Sequence, residues 1–431
     1  MTIRIDLDID ELPKYWYNIL PDLPEPLPRP REPEDCGSRI EFLKKVTLKE
    51  CWRQEYSEDR WIQIPEGLRE LYIQAGRPRP LYRAKRLERR LKLSKVKIYY
   101  KREDLSPTGS HKVNTALAQA YYASREGVGM LVTETGAGQW GTALAYAAKL
   151  NGLDSTIFWV RGVYEWKRER RILMKLYGAR VYPSPSRVTA IGRKALEKGD
   201  RAGSLGLAIS EGLEYASKKD GSVYVLGSVL NHVLLHQTVI GLEAKKQFEY
   251  IDEYPDLIIA CLGGGSNFGG IALPFMKDVL DGEKEIEFIA AQSMAAPNLI
   301  KGRYRYDYGD VAGYTPLMKM YTLGHDVKMP QIMADGLRYH ASAPIISLLR
   351  YHGYLDAVAY PIDEVSVFEA ARIFVEAEGW LPAPESSYAI RAAIDKAIEY
   401  EKNGVKKVIL MNISGHGFLD LHAYRKILGL R

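Results

Sequence analysis

An α/β fold of two lobes, each a mostly parallel sheet flanked by helices, is what this sequence predicts. From about Arg83 onward, short strand-like runs alternate with helix-like stretches, the order that builds parallel sheets covered by helices. Several of these runs, Leu257–Cys261 and Val408–Met411 among them, are short and uniformly apolar, which suits strands buried on both faces. A break near residues 218–232 divides the pattern, so a ligand is expected between the lobes.

The composition agrees. Over 431 residues the net charge is +6, with 46% hydrophobic and 26% charged residues. That is the balance of an ordinary globular chain, and it excludes disorder, collagen and a disulfide scaffold. Cys36, Cys51 and Cys261 are scattered and form no CxxC pair, so a zinc ribbon is not supported. The start, Met1 to Asp10, alternates apolar and polar residues and lacks the pattern of an export signal. No apolar run approaches the ~20 residues of a membrane helix. A cytoplasmic protein with no membrane partner is expected.

Taken in order, residues 1–80 read as an N-terminal arm and helices that pack on the core. Six prolines between Pro21 and Pro33 forbid helix and central strand, so this stretch is an extended arm. The aromatic group Tyr15, Trp16 and Tyr17 would anchor it. Residues 81–230 form the first α/β lobe. Its basic run, Arg83 to Lys92, carries Leu87 and Leu91 at i, i+4 spacing and reads as an amphipathic helix, not as a nucleic-acid surface. Val96–Lys101 alternates as a strand, and Ser110 to Arg125 is an alanine-rich helix with Ser110 as its cap. Gly129–Glu134 is a strand, Gly141–Leu150 a helix and Ser155–Val160 a strand again. Residues 231–431 form the second lobe. His232 and His236 have i, i+4 spacing, but no third ligand accompanies them; they line a helix face and no metal is assigned.

Three loops carry chemistry. Gly136-Ala137-Gly138-Gln139-Trp140-Gly141 satisfies G-x-G-x-x-G between a strand and a helix. A dinucleotide site would need a carboxylate ~20 positions on, and Val160-Arg161-Gly162 offers none. An NADP variant that uses Arg161 stays open. The simpler reading is a small anion site of backbone N–H groups at a helix start. Gly263-Gly264-Gly265-Ser266-Asn267 forms a second, tighter cup of donors, sized for one phosphate. In Ser110-His111-Lys112-Val113-Asn114 a lysine sits in the first helical turn, where the macrodipole disfavours a cation. A lysine held there and desolvated is pushed toward the neutral amine that Schiff-base chemistry requires.

A phosphate cup, a carboxylate site and an activated lysine together describe a pyridoxal phosphate site that holds an amino acid. The segments 110–114, 134–139, 263–267, 378–387 and Ser414-Gly415 closely resemble the tryptophan synthase beta chain family, in the right order from roughly Pro80 to the C-terminus. The extended arm and Gln139-Trp140-Gly141 are similar to the second, divergent type within that family. The resemblance implies a fold type II pyridoxal phosphate enzyme with a mobile lid within about residues 128–215. It implies a lyase of tryptophan biosynthesis, converting L-serine and indole to L-tryptophan and water.

By that resemblance Lys112 holds pyridoxal 5'-phosphate as a Schiff base and removes the substrate α-proton. The cofactor phosphate rests on Gly263, Gly264, Gly265, Ser266, Asn267 and His111. Thr135, Gly136, Ala137, Gly138 and Gln139 hold the substrate carboxylate. Glu134 protonates the leaving hydroxyl, Ser414 faces the pyridine nitrogen, and Glu385 lies near the ring. The resemblance also implies a homodimer; it allows a monovalent cation and leaves an alpha chain partner open. Two departures stand out. Trp140 replaces a histidine, which should leave a backbone anion site intact. Arg338 stands where the commoner type has an aspartate, so it is expected to bind substrate and favour an anionic leaving group, as in O-phosphoserine. Pairing of Arg338 with a nearby carboxylate is the competing reading. A serine or threonine ammonia-lyase, and a non-catalytic NADP-binding sensor, are the alternative functions.

Overall fold

The computed structural model describes residues 3–34 and 37–431, so Met1, Thr2 and Cys36 lie outside the described residues. Two parallel-rich sheets form the frame. The larger has seven strands in the order Arg4–Ile5, Leu81–Arg83, Val96–Arg102, Lys407–Ile413, Leu257–Cys261, Glu287–Ser293 and Asp356–Tyr360. Its first two pairings are antiparallel and the rest parallel. The smaller has four parallel strands in the order Arg180–Ser184, Asp154–Val160, Met130–Thr135 and Ser222–Tyr224.

The strand Val96–Arg102 precedes the smaller sheet in sequence yet joins the larger one, pairing Tyr100 with Met411. The sheets are therefore not parted at the 218–232 break: the second lobe's sheet recruits strands from residues 4–5, 81–83 and 96–102. A central strand such as Leu257–Cys261 is buried along its whole length because helices cover both faces. One apolar cluster runs between the sheets, joining Ala116, Leu117, Ala143 and Leu144 to Ile258, Leu262 and Phe268. The basic helix spans Lys85–Arg90; Leu87 is buried and Glu88 pairs with Arg83.

Trp16 and Tyr17 are fully buried and anchor the N-terminal arm. Beyond them the proline-rich stretch is extended after a short 3-10 turn at Leu20–Asp22. Its far end is fixed where Arg31 bridges Leu317 and stacks its guanidinium 4.0 Å over the Tyr306 ring. His232 and His236 turn toward the helix Lys49–Glu55: His232 Nδ1 lies 2.8 Å from Glu55 and His236 Nε2 2.7 Å from Gln54. Among the described residues no cluster of His, Cys, Asp and Glu is arranged to hold a metal, and no helix is long and apolar enough to cross a membrane.

Beneath the helix Val113–Arg125 lies a fully buried ionic cluster. Arg77 and Arg79 both reach Glu103, at 2.7 and 2.5 Å, and Arg77 and Lys101 both reach Glu243, at 2.7 and 2.8 Å. Asn114, two residues beyond Lys112, donates to Glu103 at 3.2 Å and accepts from Arg77 at 3.0 Å. The neighbouring cations hold the Glu103 carboxyl down at about 2 against its ordinary 4.5. A carboxylate with a depressed folded-state pKa stabilises the fold above its unfolded value and loses that contribution as pH falls through the folded value. Glu103→Ala should therefore lower the unfolding free energy by about 3–5 kcal/mol, because buried Arg79 loses its carboxylate partner and Arg77 one of its two. Denaturant unfolding at neutral pH measures this, and the gap between variant and parent should shrink on acidification below about 4.5.

Candidate active site

A cavity of about 1180 Å³ opens at the C-terminal ends of the strands and is lined by Lys112, Glu134, the 263–267 turn, Glu385 and Ser414. That edge is where open parallel sheets place their ligands. The proline-rich arm, from Leu20 to Pro30, forms part of its outer wall.

Lys112 stands immediately before the helix Val113–Arg125. Ser110 does not cap that helix. Its backbone is bridged to Gly415 and clasped by the Ser106 hydroxyl, so the boundary moves on to Lys112, with no side-chain cap. The Lys112 amine donates to the Gly227 carbonyl and, at 2.7 Å, to Ser266 Oγ. Burial pulls its pKa down to about 8, with Glu134, Cys261 and Glu385 opposing. His111 Nε2 lies 3.1 Å from Ser266 Oγ and Nδ1 3.2 Å from the Ser414 carbonyl. Burial and the Lys112 charge hold this imidazole down at about 3. The neutral ring thus donates from Nδ1 and accepts at Nε2.

The turn 263–265 ends a strand and begins the helix Ser266–Leu280. Gly265 has φ +125, a left-handed conformation that strains any residue with a Cβ. A Cβ on Gly264 would lie 2.5 Å from Ser228 Oγ, so the space beside the helix N-terminus exists only for glycine. Free N–H groups there attract an anion. Asn267 plays a different part from its neighbours. Its amide donates to the Cys261 carbonyl at 3.1 Å and accepts from Asn412 at 2.7 Å, locking the helix start onto two strand ends.

The second anion loop is built alike. Gly138 precedes the helix Gln139–Leu150, and Thr135 Oγ1 accepts from the Gly141 N–H at 3.1 Å, steadying the turn. Gln139 reaches across the cavity to donate to Glu385 at 3.0 Å, while Glu385 also accepts from the Gly336 N–H at 2.9 Å. Glu134, next to last in the strand Met130–Thr135, lines the cavity. It is buried, which raises its pKa, against the lowering effect of a hydrogen bond from Tyr224. Ser414 Oγ lies 2.7 Å from Ser386 Oγ and 3.6 Å from Cys261 Sγ.

Arg338 is the predicted residue that does not come to the site. It ion-pairs with Asp335 at 3.0 Å and donates to the Met329 carbonyl, and it lines a small side cavity instead. The short turn Asp335–Leu337 sends the two charged side chains to each other, and the pairing reading is the one realised. Asp335, which sequence reasoning passed over, lines both cavities, and burial raises it to about 6. Ser386 and Tyr224 were also missed. Ser386 falls within the 378–387 motif, so its neighbourhood was signalled; an isolated tyrosine in a strand carries no such signal.

The donor set has a definite chemical meaning. It offers a cradle for one phosphate, a partly neutral amine beside that cradle, a backbone site for a carboxylate, and a buried carboxyl near the amine. Pyridoxal phosphate with an amino acid fits this set. The comparisons agree. The family described as pyridoxal-phosphate dependent enzyme matches residues 72–415. The tryptophan synthase beta chain of Pyrococcus horikoshii is 56% identical over 97% of this chain and 91% of its own. Tryptophan synthase beta chain 2 of Thermococcus kodakarensis is 55% identical over 97% and 94%, and that of Methanothermobacter thermautotrophicus 53% over 98% of each chain. Among solved structures, a fungal L-serine ammonia-lyase from Rhizomucor miehei superposes with TM-score 0.58 at 18% identity, covering 81% of this chain and 97% of that one. Maize serine racemase gives TM-score 0.57 at 17% identity, covering 84% and 98%. Those two share the fold. By sequence the chain belongs to the tryptophan synthase beta chain family of pyridoxal-phosphate dependent enzymes.

Proposed function

We propose that this protein condenses L-serine with indole to give L-tryptophan and water, with pyridoxal 5'-phosphate as its cofactor. The observation that carries the reading is the Lys112 amine set 2.7 Å from Ser266, at the rim of a cradle for one phosphate. When bound, the cofactor supplies an electron sink for the substrate α-carbon. Lys112 would carry it and take the α-proton; the 263–266 turn and His111 would hold its phosphate. The Ser414 hydroxyl, steadied by Ser386, would face the ring nitrogen without forcing it to be protonated. N–H groups of residues 135–139 would hold the substrate carboxylate, with Glu385 fixing Gln139.

Glu134 would give its proton to the departing β-hydroxyl and later take the one that indole loses. Burial suits it to both tasks, because desolvation raises its pKa above the ordinary carboxylate value and so makes it a readier proton carrier. Leu205, Ile209, Leu213, Leu226 and Met318 give the same cavity an apolar wall for a flat aromatic ring. The arm and these side chains would exclude water, which would otherwise divert the reaction to pyruvate and ammonia. A homodimer, a lid within about residues 128–215, a cytoplasmic location and the alpha chain as an optional partner complete the reading.

A second donor is favoured by one observation. The side cavity beyond Gly136 and Asp335 is lined by two cations, Arg338 and Lys328, which suit the phosphate of O-phosphoserine. Steady-state kinetics with both donors tests it. Arg338→Asp should lose turnover of O-phosphoserine and keep turnover of serine; a strong serine preference unchanged by the substitution removes the idea.

Two further outcomes are expected. Lys112→Ala should lower tryptophan formation by roughly a thousandfold or more. Chromatographic assay of tryptophan and pyruvate checks it, and the parent enzyme given indole should make tryptophan in place of the keto acid of an ammonia-lyase. The cofactor-free protein should capture pyridoxal phosphate faster as pH rises, roughly tenfold per unit, levelling above about 8, where the Lys112 amine is mostly neutral. Stopped-flow absorbance follows this capture, and a rate still climbing at the ordinary lysine pKa of 10.5 would contradict it.

A further inference from the structure

Glu134 is held by groups to which neither its motif nor the comparisons give a task. Tyr224, at the end of the neighbouring strand Ser222–Tyr224, donates its phenol hydrogen to Glu134 Oε2. Thr133 Oγ1 lies 3.3 Å from the same oxygen and donates to the Val225 carbonyl at 2.5 Å. A hydroxyl has one hydrogen, so Thr133 spends it on Val225 and is left with lone pairs to accept. Trp140 fills that capacity: its indole N–H donates to Thr133 Oγ1 at 2.7 Å. The same indole ring lies against Gly227, where an added Cβ would come 2.4 Å from the ring. The Gly227 carbonyl accepts from the Lys112 amine. Trp140 therefore touches the supports of both the carboxyl and the amine.

We infer that Tyr224, Thr133 and Trp140 form a hydrogen-bonded brace that holds the Glu134 carboxyl in its working orientation beside Lys112, with Tyr224 as the direct donor. This rests on the catalytic role proposed for Glu134. Tyr224, Thr133 and Trp140 are positioning residues, since they act through Glu134 and Gly227. All three are buried, so their hydrogen bonds do not exchange readily with water. The groups facing Glu134 are few: Lys112 from the helix start, Tyr224 from the adjacent strand and Thr133 from its own, with Tyr339 and Asp310 behind Tyr224. A donor to the charged carboxylate lowers its pKa, so removing Tyr224's hydroxyl must move the Glu134 titration upward. The side chain of Trp140, expected from sequence to be immaterial to a backbone anion site, thus acquires a task.

The experiment compares the parent holoenzyme with Tyr224→Phe, Trp140→Phe and Glu134→Gln. It measures kcat and KM for serine and indole from the acidic to the mildly alkaline range. Tyr224→Phe should lower kcat by roughly tenfold or more with little change in either KM, and should move the Glu134 titration in the kcat profile to higher pH. Trp140→Phe should lower kcat by less, again with little change in KM, and leave the titration nearly in place, because Thr133 holds the carboxyl by contact and donates nothing to it; its kcat decides the matter if Tyr224→Phe does not fold. An unshifted profile with unchanged kcat in Tyr224→Phe, or a parent kcat in folded Trp140→Phe, beside an inactive Glu134→Gln, would overturn the brace while leaving Glu134's role intact. Full turnover by Glu134→Gln would instead remove that role, and the brace with it.

Discussion

Three cations and two carboxylates buried together set the frame on which the active site depends. Arg77, Arg79 and Lys101 face Glu103 and Glu243, and each of these side chains is fully shielded from water. Charges so placed tolerate little movement, because a misplaced partner leaves an ion uncompensated in a poor dielectric. One positive charge is in excess, and burial pulls Lys101 downward, toward the neutral amine. Gln247 and the Arg79 carbonyl accept from its amine. Through Asn114 the cluster grips the first turn of the helix that presents Lys112. It also joins the strand Val96–Arg102 to the helix Val239–Glu249, so the lysine is referenced to the larger sheet.

On that frame a single physical effect tunes both of the groups proposed to react. Desolvation lowers the Lys112 pKa and raises that of Glu134. Burial disfavours the ammonium and the carboxylate alike, so the amine moves toward its neutral form and the carboxyl toward its protonated one. His111 follows the same rule and stays neutral, free to accept at Nε2 beside the phosphate cradle.

Much of the site was legible because its elements are local. A glycine run after an apolar strand must turn, and the helix that follows must present its N–H groups to whatever lies in the turn. Lys112 was legible because a cation in a first helical turn contradicts the macrodipole. What could not be read depends on distant partners. Nothing near Val96–Arg102 signals that it pairs with Lys407–Ile413, some three hundred residues on. Ser110 has the chemistry of a cap, but Gly415 and Ser106 claim its backbone. Asn267 and Arg338 have side chains suited to a ligand, and each is claimed by a protein group, Cys261 and Asp335 respectively. Side-chain chemistry names what a residue can do; only the fold decides what else competes for it.

The contacts around the cavity differ in kind from back to front. At the back, Val113, Ala116 and Leu117 meet Ala143, Leu144 and Ala147 in the cluster that continues to the larger sheet. At the front, the joins are polar: Lys167 and Arg170 pair with Asp420 at 3.0 and 2.5 Å, and Gln139 with Glu385. The apolar join holds in proportion to the area it buries, whereas the buried ion pairs hold only while each charge keeps its partner, so the polar joins fix the geometry more sharply than the apolar one.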